Sequence, residues 1–499
     1  MPLSALTRRS FLAGSATSLL RAAAGPWIPL FDGRSLDGWT PSENQESWKI
    51  RDGCLFADGP RSHLFYSGPV AGHRFRNFEL EVEALAEARA NSGVYFHTEY
   101  QEKGWPLKGF EVQVNGSALG EGGYVERKKT GSIYGVRNVY KQMVGDGQWF
   151  TLHVAVRGKN IQVRLNGTLV SEYTEPDPPL LADNAAERGR RLSAGTIALQ
   201  CHDAGSKALF RAVRIRPLPE DAAPPEDAAK PAPTDEIAKA ILRLAAANVP
   251  MVDYHGHLKS GLTLSQLLAH GRYHGIFYGV AVNCGQGFPV DNDAAARQFA
   301  GSMQGQPCFL AMQAEGREWT RMFSAEAAGL FDYIFTDSMT WTDNRGRRMR
   351  TWIPAEVGEI ADAQEFMETL VQRTVGILEN EPIDIYVNPT FLPEQIAARY
   401  DELWTDERIS QVVRAARRNE VAIEINNRYR LPGRRVLEAA KAEGCKFAFG
   451  TNNSGINDLG RCEYGLEMAA ALKLGWRDFF VPGERGGRAI DRKPEALKG

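Results

Sequence analysis

The stretch PLPEDAAPPEDAAKPAPTDE, from Pro217 to Glu236, constrains the fold of this chain more than any other. Six of its residues are proline and only Leu218 is large and apolar. Such a segment buries too little surface to offset the entropy of ordering it, and its prolines make it a semi-rigid spacer. The 499 residues are therefore expected to fold as separate units at 27–218 and 237–499, joined by a Pro/Ala-rich linker at 219–236.

The two sides differ in hydrophobic period. Before the spacer, apolar residues alternate: in GFEVQV, Phe110, Val112 and Val114 point one way while Glu111, Gln113 and Asn115 point the other, which is the period of a half-buried strand. NFELEV, FTLHVAV and GTIALQCH repeat the pattern, and Asn166-Gly167 is a hairpin-turn signal. An all-β unit of two packed sheets is expected. After the spacer, short apolar runs (MVDY, IFYGVAV, CFLAMQA, YIFT, DIYV, VAIEI, KFAFG and an eighth candidate, DFFV) alternate with segments whose apolar residues recur at three and four. Seven or eight strand-helix units imply a parallel sheet closed into a TIM-like barrel, with an open doubly wound sheet as the alternative.

At the N-terminus, TRRSFLAGS places Arg8 and Arg9 ahead of an apolar stretch reaching Leu20, followed by small residues at Ala22 to Ala24. This resembles a twin-arginine export signal at 1–26, which implies a periplasmic or extracellular protein. No later stretch approaches the roughly 20 apolar residues of a membrane span. With 59 basic and 61 acidic residues the formal net charge is -2, so nothing points to nucleic acid as a partner.

Several motifs of the first unit, in order, resemble the 3-keto-disaccharide hydrolase family: FDGRSLDGW, NSGVYF, GFEVQV, TGSIYG, RLNGTLV, and LQCH with FRAVRIRPL. The resemblance covers roughly 27–218 and implies a concanavalin-like jelly-roll sandwich acting on a carbohydrate, a 3-keto-glycoside. A ketone at C3 acidifies the C2 hydrogen, so a base can remove it and expel the group at C1, after which water adds back. Such chemistry needs a base titrating near neutrality and donors for the developing enolate oxygen. Strand alternation offers His202 as the preferred base and Glu111 as its rival, with Asn91, Gln113, Tyr134 and Gln200 as substrate binders. Three positions depart from the family pattern: His97 replaces an Arg, Asn115 an Asp, and Phe150 an Asn. These losses favour the alternative of a non-catalytic carbohydrate-binding sandwich tethered to a barrel enzyme.

In a barrel, function sits where the strands end, and the residues there are Asp253, His255, His257, Asn283, Glu315, Asp337, Asn388, Glu424, Asn426, Asn452 and Asn453. The set resembles the polymerase and histidinol phosphatase superfamily of metal-dependent phosphoesterases, with His255 and His257 matching its opening HxH and Glu315 its middle glutamate. No histidine follows His274, so the later histidine ligands of that superfamily are missing and its full metal cluster is not expected. What remains is a single divalent metal (zinc, manganese or iron) on His255, His257, Glu315 and Glu424, or a polar pocket without metal.

Overall fold

The computed structural model describes residues 25–117, 124–181, 189–342, 347–484 and 487–498. The expected export signal lies, up to residue 24, outside the described residues.

The first unit is an antiparallel sandwich. One sheet of eight strands runs in the order Thr168–Thr174, Asn160–Leu165, Trp149–Arg157, Phe78–Ala86, Ala208–Pro217, Cys54–Ala57 and Trp48–Arg51, with Ile28–Pro29 beside Ala208–Pro217. The second, of five strands, runs Trp39–Pro41, Ser62–Tyr66, Thr196–Cys201, Asn91–Thr98 and Phe110–Asn115. Their facing sides form the core: Leu80, Val82 and Val154 from one sheet meet Val94, Phe96 and Leu199 from the other, all fully buried. The alternation visible in the sequence is the physical reason, since side chains two apart share a face.

The second unit is a barrel of seven parallel strands, closed by the pairing of Val252–His257 with Phe447–Gly450. The strands between are Phe277–Cys284, Phe309–Ala314, Tyr333–Thr336, Ile385–Tyr386 and Ala422–Asn426, which excludes the open sheet. DFFV adds no eighth strand; Phe479 makes only a single bridge to Phe447. Phe480 instead turns into the bottom of the lumen, where its ring lies 5.6 Å from Tyr254 and 6.3 Å from Tyr333. The Tyr254 ring stacks on Phe309 at 6.2 Å and the Tyr333 hydroxyl donates to the Tyr254 carbonyl at 2.6 Å. Gly279 makes this plug possible, because a Cβ there would lie 1.8 Å from the Tyr333 hydroxyl.

The spacer is pinned to the sandwich. Asn77 Nδ2 donates to the carbonyls of Pro219 and Glu220, and the Ala232 backbone amide donates to the Thr174 carbonyl at 2.9 Å. Beyond it the sandwich abuts the end of the barrel where strands begin. Tyr140 packs edge-on against Phe277 at 5.9 Å and donates to the Val249 carbonyl at 3.3 Å. Lys141 pairs with Asp332 at 2.7 Å, and the buried Arg127 pairs with Glu484 at 2.8 Å and donates to the Phe479 carbonyl at 3.1 Å. The strand-end rim of the barrel therefore faces away from the sandwich.

The lumen plug sets an expectation. Tyr333→Ala leaves a cavity among four aromatic rings and should cost about 3–5 kcal/mol in denaturant unfolding; a loss under about 1 kcal/mol would show that the lumen is not packed as described.

Candidate functional site

The five-stranded sheet turns its second face to a polar layer. Strand register sets Tyr95 opposite Glu111, Gly93 opposite Gln113 and His63 opposite Gln200. The layer is sealed: every residue of Asn91–Thr98 and of Phe110–Asn115 is buried. The 131–134 segment covers one edge, where the Tyr134 amide donates to the Glu111 carbonyl at 2.9 Å. Trp105, from the loop joining those strands, packs 5.7 Å from the His63 ring.

Glu111 is only 8% exposed. Its Oε2 accepts a hydrogen bond from the Tyr95 hydroxyl at 2.8 Å, and the same hydroxyl oxygen accepts from Gln200 Nε2 at 2.9 Å. Gly93 leaves room for the carboxylate, since a Cβ there would stand 2.3 Å from Glu111 Oε1. Burial pushes the Glu111 carboxyl up to about 7, while the Tyr95 hydrogen bond and the charge of Arg190 pull the other way. A carboxylate that titrates near neutrality inside a sealed polar layer has the properties of a general base.

Around Glu111 the expected binders take their places. Gln113 Nε2 donates to Asn91 Oδ1 at 2.7 Å. Tyr134 donates to Glu126 Oε2 at 3.1 Å, and the Arg190 guanidinium lies 5.1 Å from the Tyr134 ring centroid. Lys128 Nζ, also buried, donates to Glu126 Oε1 at 3.2 Å. The Oε1 atoms of Gln113 and Gln200 and both ring nitrogens of His63 make no hydrogen bond among the described residues. Burial, with Arg61 next in effect, holds the His63 imidazole down at about 3, so the ring is neutral.

His202 stands apart. Its ring is half-exposed, with Nδ1 2.7 Å from Asp203 Oδ2 and its centroid 4.8 Å from Trp105. No hydrogen bond or ion pair joins it to Glu111 among the described residues. Tyr95 was legible by the same alternation that exposes Glu111, because it shares the parity of Asn91. Arg190 and Lys128 come from irregular segments that carry no periodic signal. The departures from the family pattern have structural uses: His97 Nε2 is bonded at 2.8 Å to the Arg76 carbonyl, Asn115 Nδ2 donates to the Lys128 carbonyl at 2.8 Å, and Phe150 is buried in the core. Asn115 thus ties down the segment bearing Lys128, which an Asp, lacking a donor, could not do.

The barrel rim gathers a second cluster of buried polar side chains. His255 Nδ1 lies 2.6 Å from Glu424 Oε1, and His257 Nδ1 lies 3.2 Å from the Ala281 carbonyl. Glu424 Oε2 accepts from the Asn388 amide at 2.6 Å and from Asn426 Nδ2 at 2.9 Å. Glu315 Oε1 accepts from Asn283 Nδ2 at 2.7 Å and Gln313 Nε2 at 2.9 Å. Burial and the nearby Asp337 charge push Glu315 up to about 8, and burial holds His257 well below its ordinary value.

This geometry corrects the expected metal set of His255, His257, Glu315 and Glu424. Both Nε2 atoms are buried without a hydrogen-bond partner among the described residues, as imidazole ligands would be. Glu424, however, stands behind His255 with both oxygens occupied. Among the described residues no three His, Cys, Asp or Glu side chains are placed to hold a metal ion. The residues do not fit the divalent metal, and no step is routed through one.

The sandwich is similar to known carbohydrate-active proteins. Residues 26–216 match the 3-keto-alpha-glucoside-1,2-lyase-like domain family. A 3-keto-disaccharide hydrolase of Bacteroides thetaiotaomicron is 31% identical over 80 residues, which cover 15% of this chain and 28% of that protein. The chain thus spans under a third of that relative. A solved candidate glycosyl hydrolase of Parabacteroides distasonis is 26% identical, covering 39% of this chain and 100% of its own at a TM-score of 0.31. A histidinol phosphate phosphatase of Lactococcus lactis, solved with zinc, L-histidinol and phosphate, is 15% identical, covering 45% of this chain and 92% of its own at a TM-score of 0.33. The family match supports a carbohydrate-active role for this lyase-like domain. No helix among the described residues is long and apolar enough to cross a membrane.

The hydrogen bond from Tyr95 favours the charged form of Glu111, so its removal has a defined sign. In Tyr95→Phe the Glu111 carboxyl should titrate above about 7, read by carboxyl infrared bands across pH. A downward shift would mean that another group governs this carboxylate.

Proposed function

We propose that the lyase-like domain cleaves 3-keto-glycosides by elimination and hydration, with Glu111 as the base. The observation that carries this reading is a buried carboxylate held near neutrality by burial and a single side-chain hydrogen bond. The Glu111 carboxylate takes the proton from C2, and the electron pair moves into an enolate whose oxygen is the former C3 ketone. The enolate re-forms the ketone, a C1–C2 double bond appears, and the C1–O bond to the departing group breaks. His202, oriented by Asp203, protonates the departing oxygen. Water then adds its oxygen to C1 while the proton returns to C2, so the sum is hydrolysis.

Arg190 supplies positive charge close to Glu111 and is the candidate partner of the enolate oxygen. The free Oε1 atoms of Gln113 and Gln200 are acceptors for sugar hydroxyls. Exchanging the roles of His202 and Glu111 follows from burial, which lifts the Glu111 carboxyl toward neutrality and leaves the His202 imidazole half-exposed. The metal-dependent phosphoesterase reading of the barrel is not carried forward, because its ligand set does not fit. Export through the TRRSFLAGS segment belongs to the same proposal.

The test is product release from a 3-keto-glycoside by the full chain, run in D2O. Elimination places one deuterium at C2 of the released sugar; release without deuterium would show direct displacement. Glu111→Gln should lower kcat by about 10²–10⁴. Because the base must be ionised, kcat/KM should rise with pH through about 7 and level off above it. An acidic limb near the ordinary carboxylate range would remove Glu111 from the role, and unchanged turnover in Glu111→Gln would leave a sugar-binding module.

A further inference from the structure

One wall of the polar layer is fastened by the barrel as well as by the sandwich that contains it. Residues 124–128 lie outside the strands of both sheets, and side-chain bonds from two directions hold them. Asn115 Nδ2, from the sandwich, donates to the Glu126 and Lys128 carbonyls at 3.2 and 2.8 Å. Others come from the barrel, at the end opposite its rim. Arg127 is met there by Glu484 and the Phe479 carbonyl, and the Tyr124 ring lies edge-on to Trp476 at 5.6 Å.

Asn248, in the turn between the helix Glu236–Ala246 and the strand Val252–His257, uses both ends of its carboxamide on this segment. Nδ2 donates to the Val125 carbonyl at 2.9 Å, while Oδ1 accepts from Lys128 Nζ at 3.2 Å and from the Arg127 backbone amide at 3.4 Å. The residue is 4% exposed, and its φ of 63° lies in the left-handed region that Asn tolerates. A carboxamide supplies donor and acceptor together, which an aliphatic side chain in this turn could not.

From Lys128 the connection to Glu111 is short. The buried Lys128 ammonium donates to Glu126 Oε1 and stands 4.4 Å from the Tyr134 ring centroid. Glu126 Oε2 accepts from the hydroxyls of Tyr124 at 2.8 Å and Tyr134 at 3.1 Å, and the Tyr134 amide is bonded to the Glu111 carbonyl. Beyond burial and the Tyr95 hydrogen bond, the charges of Arg190 and Lys128 hold the Glu111 carboxyl down and that of Glu126 pushes it up.

We propose that Asn248 is a positioning residue of the lyase-like site, through which the barrel holds Lys128 against Glu126 and Tyr134 and so sets the charge beside Glu111. This role rests on the reading of Glu111 as the base, and it gives the barrel a part in that chemistry without any ligand at the rim.

The experiment follows the Glu111 carboxyl band by infrared spectroscopy across pH in the full chain, the band being assigned by its loss in Glu111→Gln. Asn248→Gly removes both side-chain bonds at a φ that glycine adopts freely. Released from Oδ1, Lys128 brings less positive charge to Glu111, so the carboxyl should titrate above about 7, and the acidic limb of kcat/KM should move up with it. Lys128→Met should raise the titration likewise, and Asn248→Gly added to Lys128→Met should move it no further, because the two act through one group. Lys141→Met, which breaks the ion pair with Asp332 elsewhere on the same interface, should leave it in place. Melting temperatures check that each variant is folded. An unmoved band in Asn248→Gly or in Lys128→Met would overturn the proposal. So would full additivity in the double variant, or an equal shift in Lys141→Met. The band is read without turnover, so a chain that shows these shifts but releases no product from a 3-keto-glycoside would overturn Glu111 as the base and leave its positioning by Asn248 supported.

Discussion

A carboxylate taken out of water must be met by donors inside the protein or surrender its charge, and both pockets of this chain follow from how that demand is answered. Glu111 is met by one side-chain donor, Tyr95, and so hovers near neutral titration. Glu424 is met by an imidazole, a backbone amide and a side-chain amide, and is used up as a support for His255. The same residue type thus becomes a reactive group in one pocket and a structural one in the other. Glycines mark both places: Gly93 beside Glu111 and Gly450 beside Glu424 each stand where a Cβ would strike the carboxylate.

The two units are joined as one body with their pockets kept apart. Tyr140 and Arg127 of the sandwich meet the end of the barrel where its strands begin, so the polar rim lies at the other end, away from the sandwich. The spacer contributes by lying against the sandwich, where Asn77 and Thr174 bond its backbone. Its prolines suit this role, since an extended segment loses little entropy when laid along a strand edge. A shared site between the lyase-like face and the barrel rim is not what this arrangement builds. Each pocket works alone.

Much of this was legible in the sequence because period is local. Two-residue alternation in GFEVQV placed Glu111 and Gln113 on one face, and the strand ends of the barrel gathered His255, His257, Glu315 and Glu424 at one rim. What the pattern could not convey was which neighbour each side chain would meet. Glu424 reads as a ligand by type and position, yet lies behind His255. His202 reads as the natural base by residue type, yet it is the half-exposed group, and burial lifts the Glu111 carboxyl toward neutrality. DFFV reads as a strand by its apolar run, yet Phe480 is drawn into the lumen because seven strands leave an aromatic plug to be completed from below.

By itself the sequence determined the two-unit division, the sandwich and barrel classes, the carbohydrate-directed motifs of the first unit and the polar character of the barrel rim. These depend on composition and spacing along the chain. Only the tertiary structure decided that Arg190 and Lys128 come near Glu111, that Asn115 serves to tether Lys128, and that among the described residues no three His, Cys, Asp or Glu side chains are placed together to hold a metal ion. The reason is physical. Solvent exclusion and hydrogen-bond partnership are set by segments distant in sequence, and they fix whether a carboxylate holds a proton, a neighbour or a substrate.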